Sequence, residues 1–325
     1  MRTVILEEHV SFPEMAARIP AGTPGGGFFA TMAPEVKRLI ADAGGERLES
    51  MDRNGITLQV LSVVGPGAGL LDPKEGPSFA RDYNDLLAAK IRNHPDRLAA
   101  FAHLPMTAPE AAADELQRTA DEYHFRGSLI TGLTRGEFLD HPRYAPLLQR
   151  AEALELPIYL HPGPPPPAVA QAYYSDLPGA SGTLLSLSGW GWHAETALHI
   201  LRLILSGTLD RYPRLQLIIG HMGEMLPMMM ARCDDKFKVG TIAANGRTIS
   251  QTLQDQVYVT TSGMFTWPPL QTALATFGID RVLFSVDYPF SPMEDGRRFL
   301  DSLPLAPADV EKIAHGNADR LLKLN

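Results

Sequence analysis

The sequence predicts an α/β fold in which eight parallel strands close into a (β/α)8 barrel, the TIM-barrel architecture. Short β-branched apolar runs alternate with longer helical patterns along most of the 325 residues, and the unit repeats eight times. A doubly wound sheet is the alternative, but no GxGxxG motif follows the first strand. No linker-like change in composition divides the chain, so we expect residues 1–325 to form a single domain.

The predicted strands share short apolar runs with β-branched residues, and each stands between turn or helix patterns. They are 3–9, 58–64, 98–104, 127–133, 157–161, 215–221, 257–263 and 281–287. Helical periodicity is clearest at 79–94, 109–123 and 195–207, where apolar residues recur three and four positions apart.

Two long segments follow the first and fifth strands, at about residues 19–35 and 162–182. Both are rich in Gly and Pro and carry aromatic residues. Loops that follow the strands of a barrel form its catalytic face, so we interpret both segments as active-site insertions.

Composition excludes several classes of function. The 29 basic residues are outnumbered by 37 acidic ones, which gives a net charge of −8 and no support for binding nucleic acid or an anionic membrane. Cys233 is the single cysteine, so neither a disulfide framework nor a thiolate metal site is expected. The sequence starts with a strand pattern and has no apolar run of membrane-spanning length, which predicts a cytoplasmic protein.

Metal-binding and acid–base side chains recur where the predicted strands end. Glu7 and His9 lie two positions apart, so both project to one face of the first strand. His161, His221 and Asp287 end the fifth, sixth and eighth strands. Because the carboxyl ends of barrel strands meet at one rim, we expect these five side chains to lie close together and to bind one divalent metal ion. His and carboxylate ligands suit Zn²⁺, with Mn²⁺ as the alternative.

His221 and Glu224 are candidate catalytic residues, because the carboxylate three positions later can orient the imidazole. Glu224 also suits the first turn of a helix for electrostatic reasons. Arg232 is a candidate for binding a substrate carboxylate, although an ordinary ion pair is an equal alternative. His103 and His193 are secondary candidates, for which a structural role is favoured. His199 is expected to pair with Glu195 across one helical turn.

Aromatic residues surround the expected mouth of the barrel and suit a flat substrate. Phe28, Trp190 and Phe290 are the candidates for substrate binding among them. Each of these rings alone is more often a packing residue, and only the group indicates an aromatic ligand.

At these positions the sequence resembles the amidohydrolase superfamily, in the branch that contains γ-resorcylate (dihydroxybenzoate) and aminocarboxymuconate-semialdehyde decarboxylases. The motifs that carry the resemblance span the chain and include LEEH (6–9), YLHPG (159–163), IIGHMGE (218–224) and LFSVDYPF (283–290). Their order and spacing make the resemblance specific. The Glu-x-His start is most similar to that of the dihydroxybenzoate decarboxylases.

The resemblance implies a metal-dependent, hydrolase-like barrel that decarboxylates a hydroxylated aromatic acid without an organic cofactor. It implies that Glu7, His9, His161 and Asp287 bind the metal and that Asp287 protonates the ring carbon bearing the carboxylate. His221 and Glu224 would belong to the catalytic hydrogen-bond network. Relatives are commonly oligomeric, so a homodimer or homotetramer is expected.

Departures from the family pattern leave the substrate open. Ile130-Thr131-Gly132 stands where dihydroxybenzoate decarboxylases typically read Val-Asn-Gly, and His103 stands where Ala is common. A metal-dependent hydrolase or hydratase, acting on a lactone, amide or unsaturated acid through a metal-bound water, uses the same ligands and is the alternative function. A non-catalytic binding barrel would have a degraded ligand set, whereas all four positions are filled here.

Overall fold

Eight parallel strands surrounded by helices form the framework of the protein, a (β/α)8 barrel, in the computed structural model. The structure describes residues 1–20, 23, 32–237 and 246–324. The strands are β1 Val4–Val10, β2 Leu58–Val63, β3 Leu98–Ala100, β4 Ser128–Thr131, β5 Ile158–His161, β6 Leu217–Ile219, β7 Val257–Thr260 and β8 Val282–Leu283. Each lies within a run predicted from the sequence except for the last residue of β1, although most are shorter than predicted.

The strands are arranged in chain order, as successive strand–helix units require. Parallel ladders join neighbouring strands in two groups, one in the order β1-β2-β3 and the other in the order β4-β5-β6-β7-β8. A bridge between Ala102 and Ser128 connects the two groups. On the other side, β1 meets the chain after β8 through the hydrogen bond from His9 N to the Tyr288 carbonyl, at 2.8 Å.

Helices occupy the connections and cover the outside of the strands. They are α1 Pro13–Ala16, α2 Pro34–Ala41, α3 Gly45–Arg53, α4 Gly76–Ile91, α5 Pro109–Tyr123, α6 Ala145–Leu154, α7 Pro167–Tyr174, α8 Ser181–Ser186, α9 Gly191–Leu205, α10 Thr208–Arg211, α11 Met230–Lys236, α12 Ile249–Gln256, α13 Trp267–Phe277, α14 Met293–Asp301, α15 Pro307–Glu311 and α16 Asn317–Leu322. Among the described residues, no helix is both long enough and apolar enough to cross a membrane.

Side chains alternate between two apolar layers along each strand. Val4 and Leu6 belong to a small cluster inside the barrel, together with Val60, Tyr159 and Ile218. The residues between them pack in the larger cluster between the strands and the helices, of which Ile5, Leu61, Leu160 and Ile219 are members. This alternation decides which side chains reach the mouth of the barrel.

A β-bulge in β1 changes the face on which the following side chains lie. Ile5 pairs with Gln59 but Glu8 pairs with Leu61, so Leu6 and Glu7 together stand opposite a single residue of β2. Without the bulge, strict alternation from Leu6 would turn Glu8 inward and Glu7 outward. With the bulge, Glu7 faces the interior.

The hydroxyl of Ser285 stabilises this bulge. It accepts hydrogen bonds from the backbone N–H groups of Leu6 and Glu7, at 3.1 and 2.7 Å. Buried backbone donors without partners are costly, and a bulge removes donors from the regular ladder. The chain after β8 therefore supplies the partners that β2 does not.

The insertion expected at 162–182 contains α7 and the start of α8, and it exposes apolar residues such as Tyr173 on α7 and Leu177 between the two helices. Most of the insertion expected at 19–35 lies outside the described residues.

Candidate metal centre and active site

Glu7 lies fully buried at the inner face of β1, and the side-chain hydrogen bonds that it accepts from the described residues reach one of its two oxygens. Its Oε2 atom accepts hydrogen bonds from the hydroxyl of Tyr159 on β5 and, at 3.3 Å, from that of Thr260 on β7. A Cβ atom on Gly220 would come within 2.8 Å of Oε2, so the residue that precedes His221 has no room for a side chain. These contacts direct the second oxygen, Oε1, towards the histidines of the site.

His9 and His161 are both held so that one ring nitrogen points into the site. His161 donates its Nδ1 proton to the Pro162 carbonyl at 2.7 Å, and Nδ1 of His9 lies 3.4 Å from the Ser62 hydroxyl. A histidine that donates through Nδ1 keeps the lone pair on Nε2 free for a metal. Burial also lowers the pKa of His161 to about 3, which keeps the ring neutral as a ligand must be.

The ligand atoms of Glu7, His9 and His161 all lie within 4.8 Å of one another. His161 Nε2 is 3.4 Å from Glu7 Oε1, and Asp287 Oδ1 is 3.2 Å from His9 Nε2. Glu7 Oε1 and His9 Nε2 are buried without a hydrogen-bond partner. Buried polar atoms are almost always paired, so these two atoms require a further partner between them.

The donor set fits one divalent cation. Two neutral imidazole nitrogens and two carboxylates are ligands that first-row divalent ions accept, and a cation offsets the cost of burying the carboxylates. Burial raises the pKa of Glu7, because removal from water disfavours the charged carboxylate. The structure therefore brings together the four side chains that the sequence predicts as ligands, with Asp287 at the edge of the group.

Asp287 follows β8 with a backbone φ of 75°, in the left-handed region that costs about 1–3 kcal/mol for a residue other than glycine. Its carboxylate reaches His9 on one side and His221 on the other, where Oδ2 lies 3.9 Å from Nε2. Burial raises the pKa of Asp287, but its interactions with His221 and His9 outweigh burial and hold that pKa below its ordinary value. The side chain is thus a carboxylate, as a ligand must be.

His221 and Glu224 lie on a left-handed turn rather than on a regular helix. The residues His221 to Met225 all have positive φ, between 52° and 92°. This turn brings Glu224 Oε1 within 2.7 Å of His221 Nδ1 and leaves His221 Nε2 facing Glu7 and Asp287, each at 3.9 Å. Gly223 lies in this turn at φ 92°, and a Cβ atom there would come within 2.9 Å of the Phe277 ring, so the position favours glycine.

His193 is part of the same network, whereas the sequence indicated it only as a secondary candidate. Its Nδ1 lies 2.5 Å from Glu224 Oε2, so the carboxylate of Glu224 bridges two imidazoles. Burial raises the pKa of Glu224, but the charge of His221 and the hydrogen bonds from both histidines lower it to about 2. Sequence spacing does not indicate this contact of His193, because α9 and the turn after β6 meet only in the folded chain.

The predicted substrate-binding residues occupy different places. Phe290 lies beside the site, with its ring centroid 5.6 Å from that of His9. Trp190, immediately before α9, is 52% exposed. Arg232 is exposed on α11 and forms no hydrogen bond or ion pair with the described residues. Phe28 lies outside the described residues.

Two other histidines have structural partners. His199 accepts a hydrogen bond from Leu139 N at 2.8 Å, so its expected pairing with Glu195 is wrong. The prediction failed because the ring of His199 is buried and its Nε2 atom is the acceptor for a buried backbone N–H group. His103 accepts from Ala68 N at 2.9 Å and packs on Phe79 and Tyr83, in agreement with the favoured structural role.

Comparisons with known proteins agree with this geometry. The family model described as Amidohydrolase matches residues 9–324. Decarboxylase orsB of Emericella nidulans is 37% identical over 337 residues, covering 98% of this chain and 96% of that protein. The γ-resorcylate decarboxylase of a Rhizobium species is 36% identical over 332 residues, covering 99% of this chain and 98% of that protein.

A solved structure has the same architecture. It is that of the dihydroxybenzoic acid decarboxylase from Polaromonas sp. JS666, with bound manganese and the inhibitor 2-nitroresorcinol. It superimposes with a TM-score of 0.88 at 34% identity, covering 100% of this chain and 97% of that chain.

Proposed function

The chain belongs to the amidohydrolase family, and from that premise we propose that it is a metal-dependent, non-oxidative decarboxylase of a hydroxylated aromatic acid. One observation carries the proposal. A buried cluster of Glu7, His9 and His161, with the Asp287 carboxylate at its edge, holds two unpaired ligand atoms, in a chain 36% identical to a γ-resorcylate decarboxylase over nearly its whole length. The cluster supplies the chemistry, and the relatives indicate the class of substrate.

A divalent cation bound by Glu7, His9, His161 and Asp287 would supply Lewis acidity to a carboxylate and an adjacent hydroxyl of the substrate. The protein side chains provide the remaining parts of the reaction. Phe290 is placed beside His9, where an aromatic ring of the substrate can pack against it.

Asp287 is proposed to donate a proton to the ring carbon that bears the carboxylate. A C–H bond forms there and the ring loses its aromaticity. The C–C bond to the carboxylate then breaks, CO₂ leaves, and the electron pair of that bond restores the aromatic ring. No oxidant or reductant takes part, and the reverse sequence carboxylates the phenol.

Asp287 must collect the proton that it donates, because its low pKa keeps it ionised in the free site. His221 Nε2 lies 3.9 Å from Asp287 Oδ2 and is placed to return a proton after each turnover. Glu224 fixes the ring of His221 through Nδ1 and is itself held by His193. The network therefore orients the imidazole that faces the proposed acid.

The identity of the metal belongs to the same proposal. The ligand set is compatible with Zn²⁺, which we predict from the sequence, and with Mn²⁺, which the Polaromonas structure contains. Elemental analysis of the purified protein decides between them. We further propose that the protein is cytoplasmic. We also propose that it assembles as a homodimer or homotetramer, and light scattering of the purified protein tests this oligomeric state.

The test of function is turnover by metal-loaded protein of a panel of hydroxybenzoates. We expect CO₂ and the corresponding phenol from acids with a hydroxyl next to the carboxylate, such as 2,6-dihydroxybenzoate. The matched control is 4-hydroxybenzoate, which cannot offer an adjacent oxygen pair and should be inert. Inactivity across the whole panel with metal bound would exclude the proposal, and solvent ¹⁸O in a product would instead support the hydrolase alternative.

A further inference from the structure

Glu8 lies between two proposed metal ligands in the sequence, yet its side chain belongs to a different part of the structure. The bulge in β1 turns Glu8 away from the mouth and towards the chain after β8. It is completely buried. A buried carboxylate needs hydrogen-bond donors. Within the described part of the chain, Glu8 has three, and all come from the segment around Asp287.

The three donors belong to residues on both sides of Asp287 in the sequence. Oε1 of Glu8 accepts from the Ser285 hydroxyl at 2.7 Å and from Val286 N at 3.0 Å. Oε2 accepts from Tyr288 N at 3.0 Å. The two oxygens of one carboxylate thus bind the backbone N–H groups immediately before and immediately after Asp287.

Asp287 needs such support because its backbone lies in the left-handed region, at φ 75°. Such a conformation persists only where the surrounding structure enforces it. The direction of the Asp287 side chain depends on this backbone, and that direction places Oδ1 3.2 Å from His9 Nε2. The Glu8 contacts act on the peptide groups that set this direction.

We propose that Glu8 is a positioning residue that holds the backbone of Asp287 in its left-handed conformation and so aims the Asp287 carboxylate at the metal centre. The proposed function enters only in making Asp287 the proton donor as well as a ligand. Glu8 itself contacts neither substrate nor metal. Glu8 also accepts from Ser285, which stabilises the bulge in β1, and the proposal is that its effect on the metal centre passes through Asp287 and not through that bulge. A double-mutant cycle separates the two routes.

The test measures the binding of Mn²⁺ alone, by competition with a chelator, for wild type, Glu8→Gln, Asp287→Asn and the double variant. The glutamine keeps an oxygen for Val286 N but directs an amide N–H at Tyr288 N. We expect Glu8→Gln to weaken binding by about 10-fold to 100-fold, the range usual for groups that orient metal ligands. In the Asp287→Asn background the same change should have no further effect.

A merely structural role for Glu8 predicts the opposite pattern. An effect of Glu8→Gln that is undiminished in the Asp287→Asn background, or no effect in the wild-type background, would overturn the proposal. Glu115→Gln is the matched control, because Glu115 is also a buried carboxylate but binds Asn84 and Arg118 instead. It should leave Mn²⁺ binding unchanged.

Hydrogen exchange gives a second measurement that needs neither metal nor substrate. Glu8→Gln should increase deuterium uptake in the segment 281–290, while Glu115→Gln should not. Unchanged uptake in that segment would also overturn the proposal. Should Glu8→Gln fail to fold, Glu8→Asp, which is shorter by one methylene and cannot reach both amides, enters the same two measurements. A protein that passes these tests but decarboxylates no hydroxybenzoate would refute the proposed function and leave the role of Glu8 intact.

Discussion

Removal of the Tyr159 hydroxyl is the sharpest test of how the protein prepares Glu7 for a cation. Tyr159 is buried inside the barrel and donates its hydroxyl proton to Glu7 Oε2. The hydroxyl also lies 3.0 Å from Thr260 Oγ1, which is itself 2.7 Å from the Ser262 hydroxyl. Tyr159→Phe removes this donor without changing the shape of the ring, so Glu7 keeps its place but loses this hydrogen bond to Oε2.

The size of the effect follows from the type of hydrogen bond. A hydrogen bond to a charged group contributes about 1.5–3 kcal/mol, and 1.4 kcal/mol corresponds to a factor of about ten in affinity. If the carboxylate charge of Glu7 is needed to bind the cation, Tyr159→Phe should weaken metal binding by about 10-fold to 100-fold. Thr260 Oγ1 remains 3.3 Å from Oε2, which favours the lower end of this range.

The assay is chelator competition with Mn²⁺ and with Zn²⁺, accompanied by thermal unfolding of the metal-free protein. Tyr258→Phe is the matched control, because Tyr258 is a buried tyrosine of the same interior cluster that makes no contact with Glu7. It should leave metal affinity unchanged. Wild-type affinity in Tyr159→Phe, or an equal loss in Tyr258→Phe, would refute the reasoning.

Three further predictions concern turnover and stability. Asp287→Asn should lower kcat at saturating metal by about 10²–10⁴-fold in a phenol-release assay, and near-wild-type turnover would remove Asp287 from proton transfer. Burial lowers the pKa of His199 from 6.5 to about 3, so between these pH values the native state binds fewer protons than the unfolded state. The stability that is present above pH 6.5 is therefore lost as the pH falls towards 3. His199→Gln, which keeps an acceptor for Leu139 N, should therefore flatten the pH dependence of the free energy of unfolding by up to about 1.4 kcal/mol per pH unit, and parallel curves would contradict this. Gly223→Ala would place a Cβ atom 2.9 Å from Phe277 on a backbone at φ 92°. The substitution should lower the free energy of unfolding by more than about 1 kcal/mol and lower the thermal midpoint accordingly. An unchanged midpoint would contradict the strain argument.

The fold was predictable because hydrophobic periodicity reports burial directly. All eight predicted strands occur, since a strand covered on both faces must be a short apolar run. Their ends were less predictable. The run 98–104 continues past β3, which ends at Ala100, because apolar side chains remain buried after the ladder hydrogen bonds stop.

Hydrogen-bond partners between distant segments were beyond prediction from the sequence. His199 illustrates this, because periodicity placed Glu195 one turn away, whereas the partner in the structure is a backbone amide 60 positions distant. His193 is a second example, because its contact with Glu224 joins residues 31 positions apart that no local pattern relates. Local spacing describes one element at a time.

The sequence by itself determined the order of the strands and the residue types at their carboxyl ends, because both follow from local pattern and from the direction of parallel strands. Tertiary structure decided which face each of these side chains occupies. Glu7 faces the interior only because β1 contains a bulge, and Ser285, 278 positions away, accepts the N–H group that the bulge leaves unpaired. A single inserted residue reverses the alternation of a strand, and only the folded chain supplies the hydrogen bonds that stabilise it.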